Sequence, residues 1–163
     1  MSTGNPDIER VVREVFEKRI PFNQVLGLQI ESMGGAGPTD GGESDDRVVI
    51  GFPFRDELVG NFVRQALHGG VTSAALDTVG GLAAFLDLMH RTGDLSQEER
   101  IARLGKVGTI DLRVDYLRSG LGKHFHASGW VLRSGSRVVV TRMELHNEAN
   151  TLLAAGTGTY IVG

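Results

Sequence analysis

The chain has 163 residues, of which 40% are hydrophobic and 23% charged, and it contains no cysteine. This composition is typical of one globular domain and excludes disulfide bonds and thiol catalysis. The net charge of -3 provides no basic surface for nucleic acid or an anionic membrane. The charged N-terminal segment does not resemble a secretory signal, and no charge-free apolar run reaches membrane-spanning length. We therefore expect a cytoplasmic protein that binds neither nucleic acid nor membrane.

The N-terminal third contains one helical pattern and two strand patterns. Apolar residues recur at helical spacing over 5–19, and Asn5 suits the N-cap. The segments FNQVLGLQIESM (22–33) and DRVVIGFPF (46–54) predict two strands. The Gly- and acid-rich stretch over 33–46 predicts a flexible loop because it has little to bury.

The longest apolar segment predicts a central helix from about Gly69 to Met89. A short helix follows it, and Ser96 and Glu99 form a predicted capping box. The last third contains four alternating segments between Gly, Ser or Asn turns, which predict an antiparallel meander. The chain is thus predicted to be a single α+β domain over residues 1–163, with one sheet curled around one long helix.

One acidic residue, Asp77, interrupts this apolar helix. At 100° per residue, the side expected to pack on the sheet carries Val71, Ala75, Val79, Leu82, Leu86 and Met89. The opposite side carries Asp77 with Gly70, Ser73, Gly80, Gly81 and Ala84. Glycines inside a helix cost about 1 kcal/mol each relative to alanine, so this side predicts close approach of another backbone, a partner subunit or a ligand. The alternative is a solvated acid on a water-facing side.

The start of this helix is a second candidate functional element. Gly69 and Gly70 follow His68 directly, in the sequence LHGGVTSAALD (67–77). Unpaired N–H groups at a helix N-terminus form a site for an anion or a developing oxyanion, and glycine lets a substrate approach the backbone.

The chain resembles the hotdog-fold acyl-CoA thioesterases, in the branch that has a His-Gly-Gly helix start and an acid nine positions after the histidine. LHGGVTSAALD carries the resemblance, and PFNQVLGLQIES, GTIDLRVDYLRSG and the segment 130–162 extend it over nearly the whole chain. It implies a hotdog fold, with an antiparallel sheet of about five to six strands wrapped around a long central helix. It also implies hydrolysis of acyl-CoA or another pantetheine thioester without a metal or redox cofactor.

The resemblance assigns roles to matching positions. Asp77 would be the catalytic carboxylate, acting either as general base on water or as nucleophile. The Gly69 amide would polarise the thioester carbonyl, and His68 would order the loop or contact the substrate. Thr109 matches a position whose hydroxyl can hold the attacking water. Gly70 belongs to the same substrate-binding helix start.

A second contact to the thioester carbonyl has two candidate positions in this sequence. Similar proteins usually carry Asn or Gln six positions before the histidine, where this chain has Phe62. Asn61, one residue further back, and Gln65 are the two candidates.

The phosphates of coenzyme A need cationic partners. Arg118, Arg133 and Arg137 are predicted at strand ends or turns, where they could reach the nucleotide. The alternative for each is an exposed, solubilising arginine. His124 and His126 alternate on one strand, but no third ligand accompanies them at a recognisable spacing, so we expect no metal site.

The spacing within the motif predicts a homodimer. Asp77 lies seven residues after Gly70, which corresponds to about 10 Å of helix rise. One helix therefore does not bring both groups to one carbonyl, whereas two antiparallel helices related by a two-fold axis do. We expect a composite active site in a homodimer, and pairing of dimers into a homotetramer is left open. The alternatives in function are a non-catalytic acyl-CoA-binding module and a hotdog enoyl-CoA hydratase or dehydratase.

Overall fold

A computed structural model describes residues 6–34, 47–93 and 95–163. The helices are α1 (Pro6–Arg13), α2 (Pro21–Leu26), α3 (Gly69–Arg91) and α4 (Gln97–Leu104), with a π-helical segment at Glu14–Arg19 and a short 3-10 turn at Asp56–Leu58. The strands are β1 (Gln29–Met33), β2 (Val48–Pro53), β3 (Val59–Asn61), β4 (Ala66–Leu67), β5 (Gly108–Tyr116), β6 (His124–Ser134), β7 (Val138–Asn147) and β8 (Leu152–Ile161).

Six strands form one antiparallel sheet in the order β1-β2-β6-β7-β8-β5, and β3 and β4 form a separate pair. Helix α3 contacts β2, β5, β6, β7 and β8 and lies across one face of the sheet. The predicted α+β hotdog architecture is therefore confirmed, and so is its strand number.

The predicted meander of the last four strands is wrong for β5. Strands β6, β7 and β8 are sequential neighbours, but β5 pairs with β8 and forms the edge of the sheet. Alternating apolar residues identify a strand and its buried face, but they do not specify its neighbours. The consequence is a nine-residue strand with one unpaired edge.

The core lies between α3 and the sheet. Leu76 and Val79 of α3 are fully buried, as are Met143 and Leu145 of the sheet. Burying each such side chain stabilises the fold by about 1.5–3 kcal/mol. By length and composition alone, α3 is long and apolar enough to cross a membrane, although the sequence analysis predicted no membrane-spanning segment. However, 61% of its most apolar window is buried inside the protein. This burial is what a core helix requires.

The close approach predicted for the glycine side of α3 is made at Gly80 by side chains of the chain's own sheet. Gly80 and Ala84 are buried against the chain's own sheet. A Cβ atom on Gly80 would lie 2.4 Å from Tyr160 Oη and 2.9 Å from both Met143 Sδ and Thr141 Oγ1. Glycine is needed at this position because side chains of β7 and β8 approach the helix backbone, so no partner is required to explain it.

The N-terminal elements also differ from the prediction. Residues 21–26 form helix α2 instead of the beginning of a strand, and the strand itself starts at Gln29. Pro21 occupies the first helical position, where its fixed φ is favourable, and Gly27 ends the helix at φ 70°. The helix predicted over 5–19 is divided into α1 and the π-helical segment. The predicted cap at Asn5 and most of the predicted loop over 33–46 lie outside the described residues.

Candidate active site

Asp77 lies in the middle of α3, beside β5 and β8. The Thr109 hydroxyl at the start of β5 donates a hydrogen bond of 2.9 Å to Asp77 Oδ1. Tyr160 Oη on β8 lies 3.2 Å from the same carboxylate oxygen and 3.0 Å from the Asp77 backbone oxygen. Side chains of two distant strands, β5 and β8, therefore hold this carboxylate of α3. We call Asp77, Thr109 and Tyr160 the acid half-site.

Tyr160 is the member that sequence reasoning missed. Its side chain is only 1% exposed. Burial, together with the negative charge of Asp77, raises the pKa of its phenol far above the ordinary value, with the Thr141 hydroxyl opposing this in part. The phenol therefore stays protonated and acts as a donor. A tyrosine in an alternating strand pattern carries no signal that separates this role from ordinary packing.

The acid half-site opens into a cleft of about 760 Å³, a volume that includes space open to solvent. The other residues of its wall are Phe16, Ile20, Asn23, Thr78, Gly81, Leu82, Leu104, Val107 and Gly108. Asn23 is buried, and its Nδ2 donates to the backbone oxygen of Phe16 at 3.0 Å, which satisfies a carbonyl of the π-helical segment. Asp77 is thus half-buried in the wall of an accessible cleft and not on an open surface.

The helix start is capped by its own histidine. His68 Nδ1 accepts a hydrogen bond of 2.8 Å from Gly70 N–H, and the His68 backbone oxygen accepts from Val71 and Thr72. The expectation of two unpaired glycine amides is therefore wrong for Gly70. Among the described residues, none accepts a hydrogen bond from Gly69 N–H. That amide remains available to a ligand.

A second cavity, of about 620 Å³, lies beside this amide. Gly69, Asn61, Arg64 and Arg118 are among the residues that line it. Arg118 also donates to the Leu152 backbone oxygen at 2.8 Å, which holds its side chain near the start of β8. We call Gly69, Asn61 and Arg118 the amide half-site. Arg64 is a second cation in this cavity that sequence reasoning did not select.

The structure distinguishes the two candidates for the second carbonyl contact. Asn61 lines the cavity, and its Oδ1 accepts from the Arg64 N–H at 3.0 Å, which leaves its amide NH₂ free of any partner in the described chain. Gln65 has φ 51° and donates to the Phe62 backbone oxygen at 2.8 Å, and it does not line the cavity. Asn61 is therefore the better placed of the two.

Arg133 and Arg137 are not brought to either half-site. Arg133 lies near the end of β6 and Arg137 in the turn before β7, both exposed, and neither lines the two cavities described above. Of the three predicted arginines, only Arg118 lies near the helix start.

Within one chain, the acid and amide half-sites are separate. No described residue lines both cavities. Gly69 and Asp77 are eight residues apart on α3, which corresponds to about 12 Å of helix rise. This separation agrees with the distance argument made from the sequence, because a single carbonyl cannot contact both groups.

Comparison with known proteins identifies the family. Residues 65–154 match the profile named Thioesterase superfamily. The chain belongs to the thioesterase superfamily. It is 39% identical over 154 residues to the medium/long-chain acyl-CoA thioesterase YigI of Escherichia coli strain K12, covering 94% of this chain and 93% of that one. The protein of that name from Salmonella typhimurium is 40% identical over the same length.

A solved structure extends the comparison to the fold of this thioesterase. A Shewanella oneidensis protein, described as related to the thioesterase superfamily, is 45% identical and superimposes with a TM-score of 0.84. The match covers 98% of this chain and 100% of that one. The predicted family, hotdog fold and thioester hydrolase activity are therefore confirmed.

The thioesterase also carries a His-Glu-His cluster far from the acid half-site. Glu31 Oε1 lies 3.1 Å from His124 Nε2, and Glu31 Oε2 lies 2.7 Å from His126 Nδ1. The sequence offered no third ligand to the two histidines, but strand β1 supplies one, and all three ligand atoms lie within 4.8 Å of one another. Phe125 and Ala127, which alternate with the two histidines along β6, are buried in the core, so the cluster lies on the outer face of the sheet.

Proposed function

We propose that this thioesterase hydrolyses medium- and long-chain acyl-CoA at a composite site, in which Asp77 of one copy acts with Gly69 of another. The proteins named YigI, to which the chain is similar, are medium/long-chain acyl-CoA thioesterases. The observation that carries the proposal is the arrangement of Asp77: its carboxylate is fixed by two hydroxyls in the wall of an open cleft. No metal or redox cofactor takes part in the proposed reaction.

Asp77 is proposed as a general base. Thr109 and Tyr160 both engage Oδ1, and Oδ2 has no partner in the described chain. A water molecule can donate one hydrogen bond to Oδ2 and another to the lone pairs of Thr109 Oγ1. Asp77 removes a proton from that water, and the oxygen forms a bond to the thioester carbon. When the tetrahedral intermediate collapses, the carbon–sulfur bond breaks, and the thiolate of coenzyme A takes the proton from Asp77.

Gly69 is proposed as the oxyanion donor. Its N–H is free and stands at the positive end of α3, where a developing negative charge is stabilised. Losing such a donor typically costs about 10²–10³ in rate. Asn61 is proposed as the second carbonyl contact, and Arg118 with Arg64 as partners of the coenzyme A phosphates, because all three line the same cavity.

Strand β5 supports the assembly of the two half-sites. Thr109 at its start binds Asp77, and Tyr116 at its end donates to the Gly69 backbone oxygen at 2.9 Å. In an antiparallel pair of β5 strands, the start of one strand lies beside the end of the other. Such pairing across a two-fold axis would therefore bring the acid half-site of each copy toward the amide half-site of its partner.

The same strand has the surface that a dimer needs. No described strand pairs with its outer edge over nine residues, and an exposed edge of this kind is a template for another strand. Ile110 is 58% exposed, Tyr116 56% and Leu117 51%, so apolar side chains follow this edge. We propose a homodimer, with pairing of dimers into a tetramer as a further step. A cytoplasmic location is also proposed and is compatible with a cysteine-free chain.

Subunit complementation tests the composite site. Asp77→Asn removes the base. Gly69→Pro removes the N–H and adds a ring, and the backbone accommodates it because proline is favoured at the first helical position and His68, at ψ 137°, has the conformation that precedes proline. Gly69→Ala, which keeps the N–H and places its Cβ 3.4 Å from Tyr116, is the matched control. The two inactive chains are co-expressed with different tags, and the mixed dimers are purified through both.

We expect each single-variant dimer to lose at least about 10² in kcat on decanoyl-CoA, measured as thiol release. The mixed dimer has one intact site, so it should regain about half of the wild-type activity. A mixed dimer as inactive as its parents would overturn the composite site. Unchanged activity of Asp77→Asn would overturn the proposed function itself.

A further inference from the structure

A third cavity, of about 460 Å³, lies between the N-terminal helices and the second half of α3. Helix α1 and the π-helical segment form one wall, α3 forms the floor and α4 forms the opposite wall. Among the described residues that line it, all are apolar except Arg100. This volume includes space that is open to solvent at the mouth of the cavity. We call it the apolar cavity.

The apolar cavity adjoins the Asp77 cleft. Both are lined by the same four side chains, which are Phe16, Ile20, Leu82 and Leu104. Leu82 follows Asp77 by five residues on α3, a rise of about 7.5 Å toward the C-terminal end of the helix. The apolar cavity thus begins one layer of side chains beyond the carboxylate, on the side away from the helix start.

The boundary between the two spaces is a π-helical turn. Phe16 is buried in the segment Glu14–Arg19, and its carbonyl is held by Asn23 Nδ2 at 3.0 Å. Single π-helical turns occur frequently at functional sites because they redirect one side chain without ending the helix. Here the side chain of Phe16 is placed where the cleft meets the apolar cavity.

We propose that the apolar cavity is the binding site for the alkyl chain of the acyl thioester. The inference rests on the proposed function, because it requires the thioester group to lie at Asp77. With the thioester there, an alkyl chain that continues along α3 passes Phe16 and Leu82 and enters the apolar cavity. No polar side chain other than that of Arg100 is available there, so the site suits saturated hydrocarbon and not a polar acyl group.

Burial of the chain in this cavity predicts a chain-length preference. Each methylene group removed from water can improve binding by up to about fourfold, until the cavity is full. Helices α1 and α4 therefore set which acyl chains are hydrolysed, although neither contributes a group to the reaction.

The test fills the apolar cavity from the side away from the cleft. Val15→Phe and, independently, Val11→Phe place a ring in it from two positions that do not line the Asp77 cleft. Val25→Phe is the matched control, because Val25 is 62% exposed on α2 and lines neither space. Thermal unfolding of each variant establishes that it is folded.

Two readouts are measured from butyryl-CoA to hexadecanoyl-CoA. The first is kcat/KM from thiol release. The second is the affinity of the Asp77→Asn protein by calorimetry, with and without the filling substitution. We expect both Phe variants to lose at least about tenfold on dodecanoyl-CoA and to stay within about twofold on butyryl-CoA, whereas the Val25→Phe profile matches the wild type.

The outcomes separate this inference from the proposed function. If folded Phe variants keep the wild-type dependence on chain length, or lose equally at all lengths, the alkyl chain does not lie in the apolar cavity. A different outcome is that affinity depends on chain length, that the Phe substitutions remove this dependence, and that wild-type protein releases no thiol. This outcome would support the apolar cavity as the alkyl-chain site and would overturn the proposed hydrolysis.

Discussion

The hydroxyl of Tyr160 contacts both the carboxylate and the backbone oxygen of Asp77, at 3.2 Å and 3.0 Å, across 83 positions of the sequence. A buried donor that contacts the base at two points fixes both the helix backbone and the side chain. Tyr160 is therefore a positioning residue for the proposed base, acting from the opposite layer of the fold.

Replacing Tyr160 by phenylalanine removes this donor and keeps the ring. We expect kcat to fall by about tenfold or more with KM within about twofold, because a hydrogen bond to a charged group contributes about 1.5–3 kcal/mol. Steady-state thiol release on decanoyl-CoA measures both constants. A purely structural role for the hydroxyl would lower the melting temperature and leave kcat unchanged.

Isotope labelling tests for a nucleophilic route in which water opens an acyl-aspartyl anhydride at the aspartyl carbon. In a single turnover in H₂¹⁸O with enzyme in excess, a general base directs the label into the fatty acid and leaves Asp77 unlabelled. A nucleophilic Asp77 would form an anhydride with the acyl group, and attack of water on its aspartyl carbon would label Asp77 in the first turnover. We expect label in the product alone, detected by mass spectrometry of the acid and of the peptide that contains Asp77.

We expect alanine to lower the free energy of unfolding at Gly80 and to raise it at Gly81, the next residue of α3. At Gly80 the added Cβ lies 2.4 Å from Tyr160 Oη, and we expect a loss of about 1–3 kcal/mol from overpacking. At Gly81 the nearest atom, Tyr160 Cε1, is 3.4 Å away, so the gain in helix propensity of up to about 1 kcal/mol remains. Urea unfolding measures both changes. Equal stability of the two variants would contradict the close approach of β8 to Gly80.

The cap at the start of α3 depends on an acceptor at position 68. His68→Ala removes the acceptor for Gly70 N–H and should lower the free energy of unfolding by about 1 kcal/mol. His68→Asn restores an acceptor at the N-cap and should recover most of that loss. Thermal unfolding of the pair tests this. If Asn is no better than Ala, the cap does not stabilise the helix.

The His-Glu-His cluster is expected to have no part in hydrolysis. Glu31 and its two histidines lie on the outer face of the sheet, whereas Asp77 lies on the helix side. Exhaustive dialysis against EDTA and the variant Glu31→Gln should both leave kcat within about twofold. Loss of activity that returns on addition of Zn²⁺ would show that the expectation of a metal-free reaction is wrong.

The sequence predicted the elements whose signal is local. Helix α3 begins at Gly69 as predicted, because its apolar run and glycine start are contained in one segment. The capping box of α4 is confirmed: Ser96 Oγ accepts from Glu99 N–H, and the Glu99 carboxylate accepts from Ser96 N–H. The two residues of the capping box are three positions apart, so spacing alone identifies it.

Features that depend on distant residues were missed. The position of β5 at the sheet edge, the contact of Tyr160 with Asp77 and the approach of Glu31 to His126 all join segments far apart in sequence. Alternation specifies which face of a strand is buried, but not which side chains meet there. In the sequence, only the resemblance to a family points to Thr109. The hydrogen bond from its hydroxyl to Asp77 is visible only in the structure.

The opposite ends of β5 contact opposite half-sites, and this makes strand register a determinant of activity in the proposed dimer. A slip of two residues between paired strands preserves every side-chain orientation and moves one copy along the other by about 7 Å. Each subunit would remain folded and the pair would remain associated, yet the base would no longer face the amide. Substitutions along this edge that shift the strand register would therefore abolish activity without unfolding or separating the subunits.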